Sequence, residues 1–382
     1  MLRASRVQRG EPAAGGADLP RSDLAADLSG AHSHPARPGD RCDPWILSVK
    51  RLKIGVVGAG AWGRNHVRTV AGLAEGELTA VCDTDAKVRE RVSRQYPAAL
   101  VTAEIAALLG AVDAVIVASP AATHAAVALQ AVEAGKPVLV EKPFALSVRD
   151  AEAVARRAAE KGVPVLAGHL LVYHPAVERL RAMVQQGELG KLFYLYGLRV
   201  NLGQIRKDEN ALWSFGPHDV SVALYLLGEQ PVRVAAHGKS YLQPAIEDVV
   251  FLTMEFASGV LAHVQMSWLD PHKERKLTVV GAKQMVVFDD MEPREKLRIY
   301  DKGVDRPPEY GSFGESLAIR EGDIFIPRIP AVEPLAAELA HFVRAAQGRE
   351  APRASAEDGV RVVRVLEAAS RSLARGGAPE AP

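Results

Sequence analysis

Cysteine is scarce in this chain, with two in 382 residues, Cys42 and Cys82. Cys42 falls in an irregular N-terminal stretch and Cys82 at the end of a predicted buried strand, so a disulfide between them is disfavoured and a reducing compartment suits the usage. Excess charge of one sign is missing too: 47 basic residues face 46 acidic ones, a net charge of +1. Nothing therefore draws the molecule as a whole to nucleic acid or an anionic membrane. No apolar run approaches the roughly 20 residues needed to span a bilayer. The N-terminal LRASRVQRGEPAAGGADLPRSD is polar, interrupted by Glu11 and Asp18, and lacks the core of a signal peptide. No cluster shows metal-ligand spacing, and no Ser-His-Asp or Cys-His arrangement stands out. Metal catalysis and covalent hydrolysis are poor fits. These absences leave a cytoplasmic protein acting on a small molecule, with no metal, membrane or nucleic-acid partner.

What is present suits a globular protein of two domains: 382 residues, 48% hydrophobic and 24% charged. Residues 1–50 are rich in Ala, Arg, Gly, Pro and Asp without helical or strand period, and read as a disordered extension. From residue 51 to 168, short apolar runs (LKIGVV, LTAVC, VDAVIVA, PVLV, PVLAG) alternate with helical segments of 10 to 15 residues. That alternation predicts a parallel sheet covered on both faces. From 169 to 375 the pattern changes to strands near 193–200, 232–237, 249–256, 260–268, 276–281 and 284–288, several alternating apolar with polar. Gly259 marks a hairpin, and two helices close the chain near 334–347 and 356–374. The fold class is α/β: an N-terminal Rossmann domain plus a C-terminal α+β domain with a large, mostly antiparallel sheet. Residues 376–382 are expected to be a disordered tail.

The chemistry concentrates in a few places. Gly58-Ala59-Gly60-Ala61-Trp62-Gly63 matches G-x-G-x-x-G between a strand and a helix. The first glycine permits the tight turn, the second a close approach of backbone to a pyrophosphate, and the third close packing of helix on strand. Asp83, about twenty residues on, stands where a carboxylate accepts from the ribose hydroxyls and repels an added 2′-phosphate, so NAD is favoured over NADP. Glu141-Lys142-Pro143 ends the strand PVLV and places one lysine where a nicotinamide ring would lie. His124 is either a cofactor contact or a helix-start residue. For His174, before Pro175, capping outweighs chemistry. His218, in WSFGPHD just before the apolar stretch VSVALYLLG, is an acid/base candidate or a cap, and Asp219 a first-turn carboxylate. Arg199, Asn201, Arg206, Lys207 and Asn210 crowd LRVNLGQIRKDENALW, either as solvated loop charge or as a site for a diphosphate-bearing substrate.

Together these residues resemble the glucose-fructose oxidoreductase/inositol dehydrogenase family, Gfo/Idh/MocA, from about residue 51 to 375. The resemblance implies a Rossmann domain, the Glu-Lys-Pro motif and a C-terminal sheet domain, with Lys142 beside the nicotinamide and the substrate hydroxyl and His218 as acid/base. Ser214 departs from the pattern, since many members carry an aspartate four residues before that histidine. ENALWSFGPHD, SWLDPHKERKLTVVG and MVVFDDMEPREKLRIYDKG are similar to a branch containing nucleotide-sugar 3-dehydrogenases. The expected cofactor contacts are Gly58, Gly60, Ala61, Trp62, Gly63, Asp83, Ser119, Pro120, Thr123, His124, Glu141 and Lys142. The expected substrate contacts are Tyr173, Arg199, Asn201, Arg206, Asn210, Trp213 and His218. The expected activity is NAD-dependent oxidation of a sugar ring hydroxyl, on a UDP-N-acetylhexosamine or its uronate at the 3-position. A free polyol, inositol or glycoside dehydrogenase is the alternative, and a nicotinamide-binding regulator without turnover a further one. A homodimer or homotetramer formed through the C-terminal sheet is expected.

Overall fold

In the computed structural model the described residues are 51–305 and 318–382. The expected N-terminal extension and Cys42 lie outside them. The first half builds a six-stranded parallel sheet from β1 (Leu52–Val57), β2 (Gly76–Cys82), β3 (Leu100–Thr102), β4 (Ala114–Val117), β5 (Val138–Glu141) and β6 (Val165–Gly168), in the order β3-β2-β1-β4-β5-β6. β4, β5 and β6 are buried along their whole length. That is why they read as unbroken apolar runs: a parallel strand covered on both faces has no polar side to show. The covering helices of this half are α1 (Gly63–Ala71), α2 (Ala86–Gln95), α3 (Ile105–Ala111), α4 (His124–Glu133) and α5 (Val148–Lys161).

After α6 (Pro175–Gln185) the chain forms β7 (Leu192–Val200), α7 (Ala211–Leu227), β8 (Pro231–Lys239), β9 (Val249–Phe256), β10 (Leu261–Ser267), β11 (Glu274–Gly281), β12 (Met285–Asp289), β13 (Leu297–Asp305) and β14 (Ala318–Phe325). These strands make one sheet, ordered β14-β13-β12-β11-β7-β10-β9-β8. Its pairings are antiparallel except for β7 with β10. One face buries Leu195, Val250, Leu252, Ala262, Val264 and Leu277 in a core shared with α6 and α7. The other leaves Tyr194, Tyr196, Phe251 and Leu261 exposed.

The last two helices, α8 (Pro334–Ala346) and α9 (Ala356–Ala374), do not stay with the second sheet. Leu335, Leu339 and Phe342 of α8 share a core with Ile54, Ile116 and Leu139 of the parallel sheet. On α9, Val360 and Val363 face the other side of that sheet, while Val365 and Leu366 enter the core of the second. The division expected at residue 168 is thus crossed by the chain's own C-terminal helices. The unstructured tail expected at 376–382 is not seen either. Backbone bonds in both directions, Val234 N to Glu380 O at 2.9 Å and Glu380 N to Val234 O at 2.8 Å, lay this segment along β8. The Glu380 carboxylate is gripped by Arg371 and Arg375. An edge strand has unpaired backbone groups to offer, and here the chain's own end takes some of them.

Candidate active site

The glycine loop leaves β1 with Gly58 at φ +87°, where a Cβ would come within 2.6 Å of the Ser119 backbone, so only glycine fits. A Cβ on Gly63 would strike the Gly58 carbonyl oxygen. Around Gly60, by contrast, a Cβ would meet nothing within 4 Å, so the loop presents bare backbone to open space. No side chain caps α1, and the amides of Arg64 and Asn65 bond the carbonyl oxygens of Gly60 and Trp62 at 3.3 and 2.8 Å. The Asp83 carboxylate ties the loop to β2, accepting from Ala59 N at 2.8 Å and from Asp85 N at 2.9 Å. Arg91 donates to Ala59 O, and Arg89 to Asp83 O and Thr84 O. These features fit a dinucleotide: a backbone cradle at Gly60, a helix start without a side-chain cap and an acidic group at the end of β2.

A second loop follows β4. Ser119 Oγ and Thr123 Oγ1 lie 2.7 Å apart, and Thr123 also donates to Pro120 O. His124 is buried behind them, its ring nitrogens 2.8 Å from the carbonyl oxygens of Ser119 and Pro143. It therefore fastens this loop to the Lys142-Pro143 turn, where the peptide bond is cis, and both of its ring nitrogens are taken by that task.

Glu141 is buried at the end of β5. Its Oε1 accepts from Trp62 Nε1 and from His66 Nε2, each at 2.6 Å, and its Oε2 from Lys142 N at 3.0 Å. Burial pushes this carboxyl up, but the bonds from His66 and Trp62 and the nearby Lys142 outweigh it and hold the group below its ordinary range. Glu141 thus works beneath the loop, anchoring the half-exposed indole of Trp62. His66 was not anticipated from the sequence, although its place one turn after Trp62 puts both on one side of α1. Near Glu141, Glu338 of α8 is wholly buried with neither oxygen bonded among the described residues, and burial, then the Glu141 charge, raises its carboxyl well above the usual range.

Lys142 reaches from β5 to the second half of the molecule, its Nζ donating to the Ser214 carbonyl at 3.0 Å. Burial lowers this amine's pKa. Glu209 and Glu141 oppose the fall, and Arg206 and Arg199 add to it. Ser214 and His218 stand one turn apart on α7, which begins earlier than expected: Asn210 caps it by accepting from Trp213 N at 3.1 Å. Pro217, expected before the helix, lies inside it. A proline there removes the amide that would bond Trp213 O and crowds the preceding turn, beside the carbonyl that Lys142 finds. His218 keeps some exposed surface, and no group among the described residues bonds either of its ring nitrogens. Burial, then the cations Arg199, Lys142 and Arg275 and the nearby His169, hold its pKa well below 6.5, so at neutral pH it is an uncharged base.

Several expected substrate contacts are occupied elsewhere. Arg199 forms a buried two-pronged pair with Asp219, at 2.5 and 3.2 Å, which also replaces the first-turn role expected for Asp219. Besides capping α7, Asn210 donates to Glu247 at 2.6 Å. Trp213 donates to Ser370 Oγ at 3.0 Å and packs against both cores. Tyr173 is buried against His341 and beneath Arg353. Asn201 exchanges backbone bonds with Ser267 and Asp270. Arg206 remains partly exposed, 3.5 Å from Glu209, with Lys207 exposed beside it. His174 caps α6, its Nδ1 accepting from Ala176 N. Among the described residues no three His, Cys, Asp or Glu side chains gather as a metal site, and no helix is long and apolar enough to cross a membrane.

Comparison with known proteins decides the family. The Gfo/Idh/MocA oxidoreductase profile, with its NAD-binding Rossmann fold, matches residues 52–169, and the family's C-terminal domain matches residues 177–287. The chain belongs to the Gfo/Idh/MocA family. Members are NAD(P)-dependent dehydrogenases acting on CH–OH groups. UDP-N-acetylglucosamine 3-dehydrogenase of Acidithiobacillus ferrooxidans is 30% identical over 83% of this chain and 95% of its own. Inositol 2-dehydrogenase 2 of Saccharopolyspora erythraea is 31% identical over 56% of this chain and 66% of its own. Among solved structures, GenD2 from gentamicin A biosynthesis, in complex with NAD, superposes with a TM-score of 0.73 at 27% identity, covering 87% of this chain and 97% of that one. This Gfo/Idh/MocA member therefore carries the family's two-part architecture, with Lys142 and His218 brought to the same place by β5 and α7.

Proposed function

We propose that this protein oxidises a sugar ring hydroxyl to a ketone with NAD⁺, on a UDP-N-acetylhexosamine or its uronate at the 3-position. The observation that carries the chemistry is the meeting of Lys142 with α7 one turn before a neutral imidazole that no described residue bonds. His218 takes the hydroxyl proton on a ring nitrogen. Lys142, with one N–H committed to Ser214 O, directs the others at the same oxygen and steadies it as negative charge develops. An amine of ordinary pKa about 10.4 would need a shift of about three units to serve as base near neutrality, and an imidazole needs almost none. The proton therefore goes to His218 and the electrostatic role to Lys142. NAD⁺ supplies a hydride acceptor when bound. Gly58, Gly60, Ala61, Trp62 and Gly63 would hold its pyrophosphate half, Asp83 its ribose, and Ser119, Pro120, Thr123 and Glu141 would shape the walls. Asp83 favours NAD⁺ over the 2′-phosphorylated form, because the neighbouring Arg89 and Arg91 bond backbone carbonyls.

Arg206 and Lys207, on the loop before α7, would meet the diphosphate. The nucleotide-sugar reading rests on them and on the near full-length likeness to a UDP-N-acetylglucosamine 3-dehydrogenase. The inositol dehydrogenase relatives favour a free polyol as the second reading. Stoichiometric protein mixed with NAD⁺ and a panel of UDP-sugars and polyols, followed by the near-ultraviolet absorbance of reduced nicotinamide, separates the two. A rise with a UDP-sugar alone supports the proposal, a rise with polyols alone overturns it in favour of the second, and no rise with NAD⁺ binding intact refutes both. Tyr194 and Tyr196, stacked on the uncovered sheet face beside Leu261 and Phe251, would bury against a second copy of the chain. A monomer by light scattering at micromolar concentration would remove that association.

A further inference from the structure

A cavity of about 370 Å³ opens between the turn after β6, α6, the later turns of α7 and the start of α9. Lys142 and His218 do not line it. Two of its groups are chemically incomplete. Arg181 lies with its guanidinium 3.9 Å from the centre of the Tyr225 ring and donates to Tyr225 O, yet no carboxylate among the described residues pairs with it. His169 is 4% exposed, and neither of its ring nitrogens has a protein partner among the described residues. The remaining charges are already balanced. Arg353 is paired with Glu178, and Arg361 lies 3.4 Å from Asp358, whose other oxygen accepts from Ser355 N and Oγ. What faces the space is thus a preoriented guanidinium fork with spare N–H donors and a buried imidazole that can give one more.

We propose that this cavity is a second binding site, for a small molecule bearing a carboxylate or phosphate group, with Arg181 and His169 as the groups that grip the oxyanion. A guanidinium held flat on an aromatic ring loses little freedom when it forms two parallel bonds to such a group. A half-buried cation without a carboxylate gains most from an anion brought to it. The volume suits a small metabolite. Arg361, half exposed, lies at the rim and adds a longer-range attraction. The site stands apart from the dehydrogenase reading through Arg181, which takes no part at Lys142 or His218, whereas His169 lies near enough to His218 to influence it.

The test uses the full chain saturated with NAD⁺, so that the glycine loop is closed to phosphate. Inorganic phosphate and malonate are titrated separately by calorimetry, and the His169 ring is followed by NMR, its signal assigned by its loss in His169→Asn. The expected result is binding of at least one probe together with movement of the His169 signal. Arg181→Met should weaken binding about tenfold or more, with NAD⁺ affinity unchanged. Phosphate alone binding assigns a phosphate ester; malonate alone, a carboxylate. Should Arg181→Met fail to fold, Arg361→Gln, at an exposed position, should weaken binding about threefold through the lost attraction. Absence of binding by both probes, binding that leaves the His169 signal unmoved, or affinity unchanged in every folded variant overturns the proposal.

Discussion

Arg199 offers the sharpest division between a residue that touches substrate and one that builds the wall behind it. Its side chain is 9% exposed and that of Asp219 is 7%, with two bonds between them. Arg199→Met leaves the Asp219 carboxylate buried without its partner, a loss of about 3–5 kcal/mol in unfolding free energy. Arg199→Met combined with Asp219→Leu removes both charges and returns most of that loss, because an apolar pair of similar volume is close to neutral in such a place. Urea unfolding of the wild type, both single variants and the double variant closes the cycle and isolates the coupling. A cost for Arg199→Met below about 1 kcal/mol would match a solvated pair and refute the reasoning. So would a double variant whose loss equals the sum of the singles. Kinetics add an independent reading. If Arg199 gripped the substrate, the double variant would keep the raised KM of the single one, whereas a positioning role predicts that KM recovers with stability.

Lys142→Met should lower kcat by about 100- to 1,000-fold, as loss of one preorganised donor does, while NAD⁺ titration shows unchanged affinity; retention of most activity would sink the assignment. Ser214→Ala should keep turnover within about twofold, because Lys142 bonds the backbone carbonyl and not the side chain; a loss comparable to that of Lys142→Met would show that the hydroxyl is needed. His218 must be neutral to take a proton and its pKa is depressed in the folded protein, so kcat/KM should hold as pH falls through 6.5 and drop only below it, and an acid limb at or above 6.5 would contradict the structure. Burial, only partly offset by Asp358 and Glu141, lowers His169 to about 4. The unfolded chain, with an ordinary imidazole near 6.5, then binds more protons between these values, and stability falls as pH drops through that window, by about 2 kcal/mol between pH 7 and pH 5. His169→Asn should remove that part of the slope in urea unfolding measured at the two pH values, and an identical slope in both proteins would overturn the linkage.

The parts of the fold visible in the sequence are those whose cause is local. β4 to β6 announce themselves because both faces are buried, and the glycine loop because Gly58 and Gly63 admit no Cβ. β13 (LRIYDKGVD) and β14 (AIREGDIF) were not anticipated. Their runs carry charges and glycine, and they are strands because they pair with each other and extend the sheet past β12, a cause that lies in register and not in composition. The tail at 376–382 was missed for the same reason, since Glu380 is held by β8, nearly 150 residues earlier in the chain.

The candidate site divides along the same line. A motif states which side chains are present and says nothing about which partners have already claimed them. Asn210, Trp213 and Arg199 look like substrate ligands in a polar stretch, yet Glu247, Ser370 and Asp219 satisfy them. Asn210 alone carried a readable signal, since an asparagine three residues before Trp213 at the head of an apolar run is a helix cap by local rules. Lys142 and His218 show the converse. Ser214 departs from the aspartate of many family members, but the contact at that position is made by a carbonyl that every residue possesses. What α7 must supply there is a backbone oxygen turned toward β5; Pro217 leaves Trp213 O, not Ser214 O, without its helical amide, so the Ser214 carbonyl takes the Lys142 ammonium on its second lone pair.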